Sequence, residues 1–506
     1  MFKRILIANR GEIAVRVIRA CRDMGIEAVA VFSEADRTAL HVREADYAVA
    51  VGPAPAAESY LKIDRILEAA KRTGAEAIHP GYGFFSENAR FARAVADAGL
   101  TFIGPSPSAI EQMGDKVEAR KLMAAAGVPV VPGSPGTLET EEEVRTLAAK
   151  IGYPIMLKAA AGGGGKGMRL IERDEDLGAA VRMVASEAKS SFGDGRFYVE
   201  KFVNRPRHIE VQVFADNHGN TVHLFERECS IQRRNQKVVE ESPSPFITPE
   251  MRARMGEVAV RAARAVNYSG AGTIEFLADA DRNFYFLEMN TRIQVEHPVT
   301  EMVTGVDLVK LQIEVAAGAK LPFAQSDLRQ RGWAVECRIY AEDSAAGFTP
   351  APGRIDAMTL PQGPGVRVDA GVYAGAEVSV FYDPMIAKLV TWGSDRLEAI
   401  ARMRRALSEF TVVGELATNL DFHRWIMRHP RFLAGDFDTN FIRQEYRVES
   451  AGVNGADPAR TAAILAAAFA AQRDRGSSRS TPTVQAPPPI NASAWKLVGR
   501  NAILAR

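Results

Sequence analysis

The sequence predicts a chain of α/β and α+β domains, and three observations carry that expectation. Short β-branched runs alternate with helix-period stretches over the first 110 or so residues, a strand, glycine loop and strand follow near residue 160, and alternating strands with polar turns run from about 204 to 446. At 506 residues the chain exceeds what one hydrophobic core holds, so about three domains are expected.

"RILIAN" reads as a strand, "GEIAVRVIRACRDMG" as a helix that stops at Gly25, and "IEAVAVF" as a second strand: a βαβ unit. The pattern repeats through "ADYAVAV", "YLKIDRILEAAKRTG", "AEAIHP", "SENARFARAVADAG" and "LTFIG", which predicts a parallel sheet between helices. The likeness to a Rossmann unit is one of shape, because "ANRGEIA" lacks the G-x-G-x-x-G dinucleotide fingerprint and hydride transfer is disfavoured. From about 131 to 203, "GYPIMLKAAAGGGGKGMRLI" and the helical "DEDLGAAVRMVASEAK" read as a small separate lobe. The segment from about 204 to 446 contains strands such as "RHIEVQVFAD" and "TVHLFER" and the helix "MRARMGEVAVRAARAVN". Beyond it, an alanine-rich helix, the Ser/Pro/Thr linker "SSRSTPTVQAPPPINAS" and a terminal "AWKLVGRNAILAR" suggest either a partner-docking helix or a frayed end.

Lys+Arg at 63 against Asp+Glu at 62 gives a net charge of +1, so no broad field attracts nucleic acid or an anionic membrane. "RPRH" near residue 205 is too short for a nucleic-acid patch. Cys21, Cys229 and Cys337 form neither a disulfide framework nor a metal-ligand spacing, which fits a reducing cytoplasm. The apolar run in "MFKRILIANRGE" is too short for a signal or a membrane span, so no targeting or transmembrane segment is expected.

Four glycines, Gly162, Gly163, Gly164 and Gly165, precede Lys166. Bare N–H groups and an ammonium suit phosphate oxygens, and a flexible turn is the other reading. Lys158, inside the apolar "YPIMLKAA", calls for an anionic partner. The segment is not a P-loop, because Gly167 stands where a Ser or Thr would hold Mg²⁺. Metal ligands must come from elsewhere. "GTIEFLADADRNFYFLEMN" reads as two strands around the turn "DADRN", which sets Glu275 opposite Glu288. Two facing carboxylates are either solvated or bridged by a hard cation, Mg²⁺ or Mn²⁺, and Asn290 could add an oxygen. Phe284 and Phe286 are expected on the same face as Glu288, which favours burial. In "LEMNTRIQVEH", Glu288, Asn290, Arg292, Gln294 and Glu296 recur at every second position, as if along one side of a strand. Arg338 in "ECRIY", taken alone, reads as a structural ion pair with Glu336 or Asp343, and His297 as a hydrogen-bonded structural residue.

Nine segments in one order carry a family resemblance: "ILIANRGEIAVRVIRA", "IHPGYGFFSEN", "FIGPSP", "MGDK", "KAAAGGGGKGMR", "RHIEVQV", "ERECSIQRRNQKVVEESP", "FLEMNTRIQVEHPVTE" and "ECRIYAED". Over residues 1 to about 446 the chain resembles the biotin carboxylase component of biotin-dependent carboxylases, in the ATP-grasp superfamily. The resemblance implies a Rossmann-like N-terminal domain over 1–112 and an ATP-grasp domain over 113–315 with a mobile lid lobe at about 131–203. It also implies a biotin carboxylase C-terminal domain over 316–446 and a helical and linker tail over 447–506.

By that resemblance Lys116, Lys158, the Gly162–Gly165 run and Lys166 meet ATP. Glu200 and Lys201 sit at the adenine with His208 and Gln232 nearby, and Glu275, Glu288 and Asn290 hold Mg²⁺ or Mn²⁺. Asn235 stands where some members have histidine. Lys237, Arg292, Gln294, the Val295 backbone and Glu296 form a bicarbonate pocket, with Glu296 as general base and Arg338 steadying the ureido oxygen of biotin. The resemblance implies ATP-dependent carboxylation of biotin through carboxyphosphate, as the first half-reaction of an acetyl-CoA or propionyl-CoA type carboxylase. The biotin carboxylase part of a 2-oxo acid carboxylase and another ATP-grasp carboxylate ligase are the alternatives. The chain contains no Met-Lys pair of the kind that carries biotin, so a biotin carboxyl carrier protein is expected in trans, beside carboxyltransferase subunits. The family implies a homodimer or a larger hetero-oligomer.

Overall fold

The computed structural model describes residues 1–160, 167–192 and 195–447. β1 (Arg4–Ile7), β2 (Glu27–Ser33), β3 (Tyr47–Gly52), β4 (Ala77–His79) and β5 (Thr101–Phe102) form a parallel sheet in the order β3-β2-β1-β4-β5. Parallel pairing requires crossovers, and helices therefore cover both faces. Alternation along β1 divides the work. Ile5 and Ile7 pack with Ile13, Val17 and Ile18 of α1 (Gly11–Asp23), while Leu6 packs with Ile66, Phe91 and Val95 of the later helices on the other side. The predicted stop of α1 is met: Gly25 takes a left-handed conformation with φ of 69°.

The small lobe contains β6 (Ile155–Ala159), β7 (Met168–Ile171) and β8 (Phe197–Lys201), antiparallel in the order β7-β6-β8. Helices Glu141–Ile151 and Leu177–Phe192 cover it, closing a core of Val144, Ile155, Leu157, Leu177, Phe197 and Val199. The first of these helices starts on a reciprocal cap between Thr140 and Glu143. Gly162, Gly163, Gly164, Gly165 and Lys166, between β6 and β7, lie outside the described residues, as does the tail from 448 onward.

The site is built on an eight-stranded antiparallel sheet. Its strands are β9 (Arg207–Ala215), β10 (Thr221–Arg233), β11 (Gln236–Ser242), β12 (Gly270–Ala278), β13 (Phe284–Asn290) and β14 (Trp333–Tyr340), with Val366–Ala370 and Met385–Gly393. The order is β13-β12-β9-β10-β11-β14, then Met385–Gly393, then Val366–Ala370. On one face Ile209, Val211, Val213, Ile274 and Phe276 pack on Met251, Met255 and Ala259 of helix Pro249–Ala265. The alternate residues of the same strands, His208, Glu210, Gln212, Thr273 and Glu275, are polar and also buried. A strand with one apolar and one buried polar face needs dense pairing on the second. Helix Arg396–Glu409 packs on β14 and Met385–Gly393 to close the C-terminal core.

That core encloses His423, whose Nε2 donates to the Arg338 carbonyl at 2.8 Å. Burial pushes its pKa down to about 4 from 6.5. An unfolded chain gains a proton here below pH 6.5 while the folded chain does not, so acid takes about 1.4 kcal/mol per pH unit from the fold at this site. His423→Gln is therefore expected to be less stable than wild type near neutral pH. The gap should narrow by about 1.4 kcal/mol per unit from pH 6.5 towards 4 in urea unfolding, and a constant gap refutes the assignment.

Candidate active site

The turn at Asp279–Asn283, closed by Asp279 N–H to the Asn283 carbonyl at 2.9 Å, sets Glu275 directly opposite Glu288. The next pair is Phe276 with Phe286, so Leu287 is an extra residue and β13 is bulged. The bulge corrects one expectation. Phe284 and Phe286 do not share the face of Glu288; they pack in the helix-covered core with Met289, and Glu288 and Asn290 line the opposite side. A second correction concerns the alternating row. β13 ends at Asn290, and residues 291–296 form a turn into helix His297–Thr304, with Glu296 at its N-cap and Pro298 in its first turn. Arg292, Gln294 and Glu296 therefore reach the site from a loop and not from a strand face.

Every candidate among the described residues lines one cavity of about 520 Å³. Lys116, Lys158, Glu200, Lys201, His208 and Gln232 lie on its wall with Glu275, Glu288 and Asn290, and Lys237, Arg292, Gln294, Val295, Glu296 and Arg338 complete it. The Lys237 Nζ is its hub. It donates to Glu275 Oε1 at 2.8 Å, to Glu296 Oε1 at 2.6 Å and to Glu210. Arg338 donates from Nε to Glu240 at 2.6 Å and from Nη2 to Glu296 Oε2 at 2.9 Å. The ion pairs expected with Glu336 or Asp343 are not those formed, because the register of β11 and β14 brings Glu240 within reach instead. His297 is structural as expected: it is fully buried, and its Nδ1 donates to the Gln294 carbonyl at 2.8 Å.

Burial alone would raise the Glu296 carboxyl, but Lys237, Arg338 and Arg227 overcome it and hold the group well below the usual carboxylate range. Glu275 is likewise held low against its burial, by Lys237 and His208, with the His208 Nε2 2.9 Å away. Glu288 moves the other way, raised by burial and by the charge of Glu275. Burial pushes Glu240 up to about 7.

Arg292 is held by Glu87, Nε to Oε2 at 2.8 Å, and by the Asn290 Oδ1 at 2.8 Å. Lys158 finds its expected anionic partner in Glu200, which Arg120 also holds. Lys201 turns its ammonium to the carbonyls of Gly152 and Tyr153, at 2.9 and 3.0 Å.

The sequence reading missed Glu210, Arg227, Glu240, Glu87 and Arg120. Arg227, fully buried, donates to Glu210, to Gln212 Oε1 at 2.6 Å and to Gln294 Oε1 at 2.6 Å. A signal for Glu210 existed in "HIEVQV", where polar residues alternate with Ile and Val in a strand with no exposed face. Glu87 carries no comparable local signal.

The donor set fits a hard divalent cation. Glu275 and Glu288 are two opposed carboxylates in a cavity that raises the cost of leaving them both ionised, and a cation removes it. The Asn290 Oδ1 already accepts from Arg292, so the two carboxylates are the stronger part of the set.

Three family descriptions match the chain: "Biotin carboxylase, N-terminal domain" over 1–110, "Carbamoyl-phosphate synthase L chain, ATP binding domain" over 115–324 and "Biotin carboxylase C-terminal domain" over 336–444. A biotin carboxylase of Halalkalibacterium halodurans is 54% identical over 89% of this chain and 99% of its own length. One of the pyruvate carboxylase subunits of Methanothermobacter thermautotrophicus is 55% identical over 88% and 90%. Among solved structures, a biotin carboxylase complex from Campylobacter jejuni superposes with a TM-score of 0.85 at 48% identity, covering 88% of this chain and 99% of that one. With three family descriptions matched along most of the chain and relatives more than half identical over nearly their whole length, this chain belongs to the biotin carboxylase family of ATP-grasp ligases.

Proposed function

We propose that the chain carboxylates biotin on a carrier protein supplied in trans, as the first half-reaction of an acetyl-CoA or propionyl-CoA carboxylase. One observation carries the chemistry: Glu296 bridges Lys237 at 2.6 Å and Arg338 at 2.9 Å in the same cavity as the Glu275–Glu288 pair. Glu275 and Glu288 hold Mg²⁺ or Mn²⁺, which neutralises phosphate charge when bound. Lys116 and Lys158 face the phosphates, and Glu200, Lys201, His208 and Gln232 line the nucleotide end.

Bicarbonate lies against Lys237, Arg292, Gln294 and the Val295 backbone. Glu296 takes its proton as an oxygen attacks the γ-phosphorus of ATP, releasing ADP and forming carboxyphosphate. That species breaks down to carbon dioxide and phosphate. The phosphate takes the N1′ proton, N1′ attacks carbon dioxide, and Arg338 steadies the negative ureido oxygen. A carboxylate as tightly held as Glu296 is a weak base. When the anion draws Lys237 and the ureido oxygen draws Arg338, the charges that depress Glu296 are diverted and its basicity rises.

The domain limits we assign are 1–112, 113–315 with the lid lobe at about 131–203, and 316–446, with 447–506 as a docking tail. The working form is a homodimer, or a larger assembly with carrier and carboxyltransferase subunits, in the cytoplasm. Among the described residues no helix is long and apolar enough to cross a membrane. Biotin carboxylases are matched over nearly their whole length, and a propionyl-CoA carboxylase α chain of Ruegeria pomeroyi over 72% of its own. The carboxyltransferase selects the acceptor, and the pyruvate carboxylase relative keeps a 2-oxo acid in the test set.

Purified chain is expected to hydrolyse ATP only with bicarbonate and faster with free biotin, and to give no streptavidin signal. Turnover indifferent to bicarbonate overturns the reaction, and a biotin signal overturns the carrier in trans. Mass spectrometry of co-purifying subunits, followed by assays on acetyl-CoA, propionyl-CoA and pyruvate, identifies the acceptor.

A further inference from the structure

We infer that Lys388 is a positioning residue for the anion pocket, fixing the Val295–Glu296 peptide plane so that the Glu296 N–H, beside that of Val295, meets bicarbonate; the inference rests on the reading above. Lys388 stands on the strand Met385–Gly393 opposite Arg338 and is fully buried. Its Nζ donates to the Val295 carbonyl at 2.9 Å, and lies 3.1 Å from Glu12 Oε2 and 3.9 Å from Asp369 Oδ2. A buried ammonium needs counter-charge, and Glu12 and Asp369 supply it. The bond to Val295 is not needed for neutrality and has a different consequence.

The preceding carbonyl, of Gln294, is held by the His297 ring at 2.8 Å. In a planar trans peptide the N–H points opposite to the C=O. Anchoring two consecutive carbonyls therefore turns the Val295 N–H away from His297 and the Glu296 N–H away from Lys388. Neither donates to an acceptor among the described residues. Two successive free N–H groups beside the cavity make a concave anion-binding surface. The ammonium also polarises the Val295–Glu296 peptide, which strengthens the Glu296 N–H as a donor. Lys388 thus acts on bicarbonate through the backbone, and nucleotide binding does not depend on it.

Two variants test this in steady-state ATP turnover with bicarbonate and ATP varied separately. Lys388→Met keeps the length of the side chain and removes the donor, and the double variant Lys388→Met/Glu12→Gln also restores the local charge balance. The expected result is a rise of about tenfold in KM for bicarbonate, the size of one charged hydrogen bond, with KM for ATP unchanged. The double variant should recover melting temperature but not bicarbonate KM. A normal bicarbonate KM in either folded variant, or its restoration in the double variant, overturns the inference. If Lys388→Met does not fold, the charge-balanced double variant decides the question. Wild-type enzyme in the same assay separates the two readings, since absence of bicarbonate-dependent turnover there sinks the proposed reaction and not the role of Lys388.

Discussion

Glu296→Ala is expected to lose bicarbonate-dependent ATP turnover by about 10²- to 10⁴-fold while still binding the nucleotide. The argument is one of geometry. Glu296 reaches the cavity from the N-cap of helix His297–Thr304, where its two oxygens accept from Lys237 and Arg338. Removing it strands neither cation, because Lys237 keeps Glu210 and Glu275, and Arg338 keeps Glu240. The fold should therefore survive, and Glu296→Gln, which keeps the shape but cannot take a proton, should be as inactive as the alanine variant. Nucleotide affinity by calorimetry and turnover by phosphate release separate the two effects. Turnover that persists in both variants would remove Glu296 from the role of base.

Lys237→Met is expected to be costlier to the fold and just as damaging to the reaction. Its ammonium is the shared partner of Glu210, Glu275 and Glu296, all nearly or fully buried. Breaking a buried pair by removing one member costs about 3–5 kcal/mol, because the remaining charge has neither water nor partner. Arg227 and Arg338 blunt that loss at Glu210 and Glu296, so the expected destabilisation lies near the lower end of the range. Turnover should fall by about 10²- to 10³-fold with the loss of a donor aimed at developing charge. Lys237→Met/Glu210→Gln removes one uncompensated carboxylate, and should regain part of the stability in urea unfolding but none of the turnover. A variant as stable as wild type would show that the three carboxylates do not depend on Lys237.

Local pattern made much of this legible. Short apolar runs alternating with helix-period stretches made the parallel sheet legible, since β1 to β5 fall within those runs. The polar turn "DADRN" placed Glu275 against Glu288 because a hairpin fixes register over a few residues. What stayed hidden depends on pairings far apart in sequence. Glu240 meets Arg338 only because β11 lies beside β14, 98 residues on, and no spacing rule encodes that. Glu210 and Arg227 were hidden for the same reason, although a polar face on a strand buried on both sides was a warning. The alternation at 288–296 misled because a period of two is also what a turn entering a helix can show by coincidence. Nine ordered segments identified the family where single residues could not.

The extra residue at Leu287 ties the length of the hairpin to its chemistry. Side-chain direction along a strand is a matter of odd and even, so the hydrocarbon interior fixes parity up to Phe286 and the cavity-lining polar groups take over only after one count has been skipped. Were Leu287 threaded into a regular strand instead of a bulge, Glu288 and Asn290 would turn into the oil and Met289 out of it, whereas its deletion would leave all three on their present sides. The bulge, as much as residue identity, thus decides which groups meet the cavity.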